Sequence, residues 1–244
     1  KDSRVSYHDS RISAQDIDAD YVWDCAGYPA SLDEYTQAKY LCVNSAFVTQ
    51  CHWHSPEFYR TKAVAAKWGW VFFIPLQNRC SVGYLYNRSI TDVSVIKQDV
   101  LKIIADHNLI PSDHTREINF NSYIKNQVIT DRVCYTGNKG FFLEPLESLT
   151  IDGIFMSVEA GMEKAGLRQP SDNFDRLNDH MHDVFAEMEY FIMLHYAAGS
   201  QYKSEFWEFA VERAKKCLDQ PAPKLTNLLG RRAYDIVRNG LGLG

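Results

Sequence analysis

The chain has 244 residues, 45% of them apolar and 23% charged, and carries a net charge of −5. The length suffices for a sizeable core in one large or two small domains. The acidic balance argues against a general nucleic-acid binder, and the most apolar run, residues 68–76, is too short to span a membrane.

Aromatic residues make up 13% of the chain, which suits a protein that handles flat ligands and equally a large core. The six cysteines are scattered without a C-x-x-C pair, the pattern of reduced, mostly buried thiols in a cytoplasmic protein. Residues 1–9 begin with Lys rather than Met and read as the middle of a protein, so the chain is expected to belong to something longer.

Residues 18–27, DADYVWDCAG, read as a buried strand closed by a small-residue turn. Such an end is either an ordinary glycine turn or a place where backbone runs close to a bound nucleotide. Residues 31–41 are polar and read as helix or loop, and residues 44–50 as a strand. Cys51, His52 and His54 follow, but their spacing does not close a zinc site. A loop with solvated histidines, and no metal, is expected there.

Residues 68–76 form an aromatic strand, and a turn at Gln77-Asn78 leads into a second strand over 79–86. Val93, Ile96, Val100, Ile103 and Ile104 mark one face of a helix. A weak polar–apolar alternation from Ile118 to Ile129 predicts a half-exposed strand.

The next stretch concentrates site-like features. Residues 132–135 are strand-like, residues 137–150 (GNKGFFLEPLESLT) bring a glycine turn, and Ile151, Ile154, Phe155, Val158, Met162 and Ala165 recur at helical spacing. Pro145 suits a helix entrance, and Ser148 and Thr150 suit caps. A strand, a turn and a helix start together aim backbone N–H groups at an anion or a cofactor. Glu144 and Glu147 add carboxylates at the same spot.

A long helix is predicted over 174–196, with Phe174, Leu177, Met181, Val184, Phe185, Met188, Phe191 and Ile192 on its apolar face; His195 reads as a satisfied core histidine. Residues 221–223 break the chain, and an amphipathic piece over 228–237 leads into a glycine-rich loop. The chain thus divides into a sheet-rich part, residues 1–150, and a mainly helical part, residues 151–244.

Residues 142–148, Phe-Leu-Glu-Pro-Leu-Glu-Ser, resemble the FLEPLES signature of the flavin-dependent tryptophan-halogenase family. Further blocks follow in the family's order. Residues 18–27 are similar to its ADxVIDCSG strand. Residues 70–75, WVFFIP, resemble WxWxIP with Phe72 in place of the second tryptophan. Residues 79–86 are similar to R-x-x-x-GYVYS. Residues 191–196 resemble the RDFIxxHY helix, with Glu189 and Tyr190 where Arg-Asp is usual, and residues 204–207 the TPFW after it.

The resemblance implies an α/β (α+β) fold with the sheet layers of FAD-binding flavoprotein monooxygenases and a mainly helical C-terminal region. It implies halogenation of an electron-rich aromatic compound (indole, pyrrole or phenol) by FADH2, O2 and chloride or bromide, through hypohalous acid. A separate flavin reductase would supply the reduced FAD. Glu147 would face the substrate, beside Ser148. The backbone amides of Leu149 and Thr150, where the family commonly has Thr-Gly, would bind halide.

Ala26, Gly27, Gly137, Asn138, Pro145 and Leu146 would lie along the flavin. Trp70, Phe72, Ile74 and Pro75 would separate flavin from substrate. The family's GxGxxG segment and catalytic lysine lie near its N-terminus and have no match here, so the chain is expected to carry half of the active site. The partners implied are a small aromatic substrate and the reductase, with no nucleic acid and no membrane; a homo-oligomer is allowed. Two other readings stay open: a flavin-dependent aromatic monooxygenase, and a non-catalytic fragment that keeps only the substrate-domain fold.

Overall fold

The computed structural model describes residues 12–242 apart from 54, 55, 57, 172, 173, 225, 227 and 228, and omits the side chain of 231. In chain order the elements are β1 (Val22–Asp24), β2 (Tyr35–Gln37), β3 (Ser45–Trp53), β4 (Lys62–Ala66), β5 (Gly69–Pro75), β6 (Cys80–Tyr86) and α1 (Val93–Asp106). There follow β7 (Leu109–Asn119), β8 (Tyr123–Lys125), β9 (Val133–Tyr135), β10 (Phe141–Phe142), α2 (Leu149–Lys164), α3 (Leu177–Ala197), α4 (Glu205–Leu218) and α5 (Gly230–Gly240). The fold is mixed α/β: α1 lies between β6 and β7, and α2 to α5 follow the last strand.

The aromatic alternation of β5 organises the largest sheet, which is antiparallel in the order β4-β5-β6-β3-β7. Successive strand residues point to opposite faces. Val71 and Phe73 join Val82 and Tyr84 beneath Ile96 and Val100 of α1. Trp70 and Phe72 face the other way, into a larger core that also holds Met188, Ile192 and Phe206 from α3 and α4. Asp92 caps α1 by accepting the Ser94 N–H at 2.8 Å. Ser204 caps α4 by accepting the Trp207 N–H, and donates its hydroxyl to Lys67 O.

Two smaller sheets carry the site. One has the order β10-β8-β2, and the other is the parallel pair β1–β9, in register from Val22↔Val133 to Asp24↔Tyr135. The larger buried cluster takes residues from both sides of position 150, among them Leu85 and Phe141 with Met181 and Ala210. Among the described residues no helix is long and apolar enough to cross a membrane.

Several sequence expectations need correction. The strand over 18–27 contracts to Val22–Asp24, and residues 31–41 contain β2. Cys51 and His52 belong to β3 rather than to a loop, while His54 lies outside the described residues. The single strand expected from Ile118 to Ile129 is instead the end of β7, which runs from Leu109 to Asn119, followed by the short β8. The run LIPSDHTREIN of β7 is polar and contains Pro111 because β7 is an edge strand, where a missing N–H and exposed charges are tolerated. A 3-10 turn, Phe174–Arg176, precedes α3, and α5 continues through Gly240. Residues 1–11 lie outside the described part.

The largest correction concerns α2. Its buried residues are Leu149, Gly153, Ser157, Ala160, Gly161 and Glu163, whereas Ile151 and Phe155 are 55% and 66% exposed. The helix lies so close to its neighbours that small residues form its inner face. A Cβ on Gly153 would stand 2.4 Å from Phe141 Cζ and 2.9 Å from Met188 Cε, and both of those side chains are buried. Gly153→Leu is therefore expected to cost about 3 kcal/mol by overpacking, read as a lower urea midpoint. An unchanged midpoint would mean that α2 lifts off its bed freely.

Candidate active site

The loop between β10 and α2 is anchored at both ends and displayed in the middle. Leu143, Leu146 and Leu149 are buried, while Pro145, Glu147 and Ser148 are exposed. Glu147 (φ 57°, ψ 10°) and Ser148 (φ 57°, ψ 22°) are both left-handed. Two successive non-glycine residues there cost about 1–3 kcal/mol each, a strain that gathers at functional sites.

Ser148 stands at the N-cap position of α2 as its type suggests, yet its side chain makes no capping hydrogen bond. The Thr150 hydroxyl turns back to donate to Leu143 O at 3.4 Å. Leu149 and Thr150 are right-handed helical residues, so neither place demands glycine. As first-turn residues their N–H groups lack intrahelical acceptors.

The C-terminal turn of α3 lies against this loop. His195 Nε2 is 3.5 Å from Glu147 Oε1, and the ring is oriented by a 3.1 Å contact from Nδ1 to Phe191 O. The neighbouring His195 holds the Glu147 carboxyl below the usual range, against partial burial. Glu144 is different. It is fully buried, and burial pushes its carboxyl up to about 8, against the Tyr196 hydrogen bond and the nearby Trp70 indole and with added repulsion from Glu189. Tyr196 donates its hydroxyl to Glu144 Oε1 at 2.7 Å and accepts the Trp70 indole N–H at 3.1 Å.

His195 and Tyr196 were not legible as site residues from helical periodicity, which marks both as core. Their likeness to the family's HY pair was the only signal. Of the residues expected to wall the site, Trp70 is buried and spends its N–H on Tyr196, and Phe72 lies over Gly83. Ile74, at 39% exposure, and partly exposed Pro75 reach solvent at the end of β5.

Gly27 and Gly137 follow the carboxyl ends of β1 and β9, the side on which open parallel sheets bind ligands. Both have positive φ (83° and 56°), and nothing lies within 4 Å of where a Cβ would stand. Ala26 N–H donates to Asp24 Oδ1 at 3.0 Å, and Thr136 N–H to Asp24 O at 3.0 Å. Tyr123 donates its hydroxyl to Asn138 O at 2.8 Å, holding the turn after β9. Tyr28 packs edge-on against Phe142 at 5.3 Å and so joins this open cradle to the start of the Glu144–Ser148 loop. Pro145 is exposed there, whereas Leu146 turns its side chain into the core. Among the described residues no group of three or more His, Cys, Asp or Glu is placed to hold a metal ion.

The chain superposes on BrvH, a flavin-dependent halogenase from Brevundimonas sp. BAL3, with a TM-score of 0.70 and 21% identity, covering 93% of this chain and 50% of that one. For Xcc4156, a flavin-dependent halogenase from Xanthomonas campestris, the TM-score is 0.71 at 21% identity, with coverage of 92% and 49%. For a tryptophan halogenase from Shewanella frigidimarina the TM-score is 0.68 at 20% identity, covering 91% and 48%. At these identities the likeness shows the fold, and the chain spans about half the length of the solved structures it matches. The tryptophan halogenase family matches residues 4–232, nearly the whole sequence, and the chain belongs to that family.

Proposed function

We propose that this chain forms the halide- and substrate-facing part of a flavin-dependent halogenase acting on a small, electron-rich aromatic compound. The observation that carries the reading is the strained left-handed turn at Glu147 and Ser148. It brings a carboxylate paired with His195 to the start of α2, where Leu149 and Thr150 stand in the first turn, whose N–H groups have no acceptor within the helix.

Each part has a chemical task. The open glycine cradle at Gly27 and Gly137, with Ala26 and Asn138, fits an approaching FAD backbone-first, beside Pro145 and the main chain of Leu146. Reduced FAD, when bound, supplies with O2 the oxidising power that makes halide electrophilic; a separate flavin reductase keeps it reduced. The amides of Leu149 and Thr150, at the positive end of α2, hold chloride or bromide. Glu147, kept ionised by His195, orients the electrophile or accepts the ring proton released when the carbon–halogen bond forms. Ile74 and Pro75, with partly buried Phe72, form the side of the division between flavin and substrate, and buried Trp70 backs it from the core. The free thiols suit a reducing compartment, and we assign the protein to the cytoplasm.

The test is product analysis with the complete protein, a flavin reductase, bromide and a panel of indoles, pyrroles and phenols. A product gaining one bromine, and none without halide, is expected. A product gaining one oxygen instead would replace halogenation with hydroxylation.

A further inference from the structure

The last turn of α3 grips the Glu144–Ser148 loop at two points one residue apart. His195 meets Glu147 at 3.5 Å, on the exposed side. Tyr196 meets Glu144 at 2.7 Å in the core, and Trp70 of β5 fixes the tyrosine hydroxyl from behind. Glu144, Tyr196 and Trp70 are all at most 5% exposed. Glu144 Oε2 is buried and, among the described residues, has no hydrogen-bond partner.

A carboxylate with one bare oxygen in such a place is far costlier than a neutral acid. The surroundings agree. Facing Glu144 are Tyr196 and Glu189 from α3, Trp70 from β5 and the Cys42 thiol from the segment before β3. Arg213 of α4 acts on Cys42 and Glu189, while its own hydrogen bonds go to the Lys39 and Tyr40 carbonyls.

We propose that Glu144 is a positioning residue for Glu147: as a neutral acid gripped by the Tyr196 hydroxyl, which Trp70 braces, it is the fixed post that holds the left-handed turn. Only Pro145 and Leu146 separate the two glutamates, so a shift at the post moves the Glu147 carboxylate and the amides behind it together. The turnover arm of the test rests on the halogenase reading; the spectroscopic arms do not.

The experiment compares Glu144→Gln and Glu144→Leu with wild type in the complete protein. Gln keeps an acceptor for Tyr196 and cannot ionise. It should retain kcat within about threefold between about pH 7 and 9, whereas Leu should lower kcat about tenfold or more with the aromatic KM little changed. Infrared difference spectra should show a protonated carboxylic acid that Glu144→Gln removes. Amide exchange at Leu149 and Thr150 should quicken about tenfold in Glu144→Leu and not in Glu144→Gln. If the leucine variant does not fold, Tyr196→Phe, which deletes one hydroxyl, is read in its place.

A glutamine variant as slow as the leucine one, a missing acid band, or a leucine variant with wild-type kcat and exchange would each overturn the proposal. If wild type shows no halide-dependent turnover, the halogenase reading falls alone. The acid band and the exchange pattern then still decide the role of Glu144.

Discussion

Replacing Glu147 with glutamine should lower halide-dependent kcat by about a hundredfold or more, the usual worth of a positioned acid–base group. The change keeps shape and removes charge. The half-exposed side chain contributes little to the core, so stability should move by less than about 1 kcal/mol. Flavin affinity should stay within about twofold, because the cradle proposed for it at Gly27 and Gly137 is left intact. Steady-state kinetics with a parallel FAD titration reads both, and unaltered turnover would remove Glu147 from the mechanism. The companion His195→Gln tests the pair. Its partner now holds Glu147 below the ordinary range, so activity that needs the carboxylate is lost only well into acid. Without His195 the acid limb of the pH–rate profile should move up towards an ordinary glutamate value.

The second large effect is on stability against pH. The Glu144 carboxyl lies at about 8 in the fold against 4.5 for a free one. Between these values the folded protein holds a proton that the unfolded chain has released, so stability falls as pH rises from about 4.5 to about 8. Three and a half pH units at about 1.4 kcal/mol each correspond to a loss on the order of 4–5 kcal/mol. Glu144→Gln deletes this term. Near pH 4.5 the variant and wild type should unfold at similar urea concentrations, and near pH 8 the variant should be the more stable. Equal slopes of stability with pH in both proteins would show that Glu144 ionises normally.

Legibility in the sequence followed where packing is carried by large side chains. The hairpin of β5 and β6, helix α1 and the body of α3 each repeat bulky apolar residues at the period of their element, and they lie where that period places them. Helix α2 misled because its inner face is Gly153, Ser157, Ala160 and Gly161, and its conspicuous residues Ile151 and Phe155 face outward. Strand β7 was hidden by Pro111 and by the polar residues that an edge tolerates. At the candidate site, the loop from Phe142 to Ser148 was legible as a motif, but the pairing of Glu147 with His195 joins residues 48 apart and is set by how α3 lies on the core. No local pattern encodes that.

The division of backbone conformation along this loop also sets which positions are open to change. Glu147 and Ser148 hold left-handed angles that most side chains resist, so variation there alters the path of the chain itself. Leu149 and Thr150 are ordinary helical residues whose N–H groups are presented by the backbone whatever side chain they carry. Thr150 is partly exposed and Leu149 is buried, so a substitution library placed at 150 would vary the rim of the turn without disturbing its donors. A change from the Thr-Gly pair to Leu149-Thr150 therefore alters side chains at these two positions while leaving the same backbone donors in place.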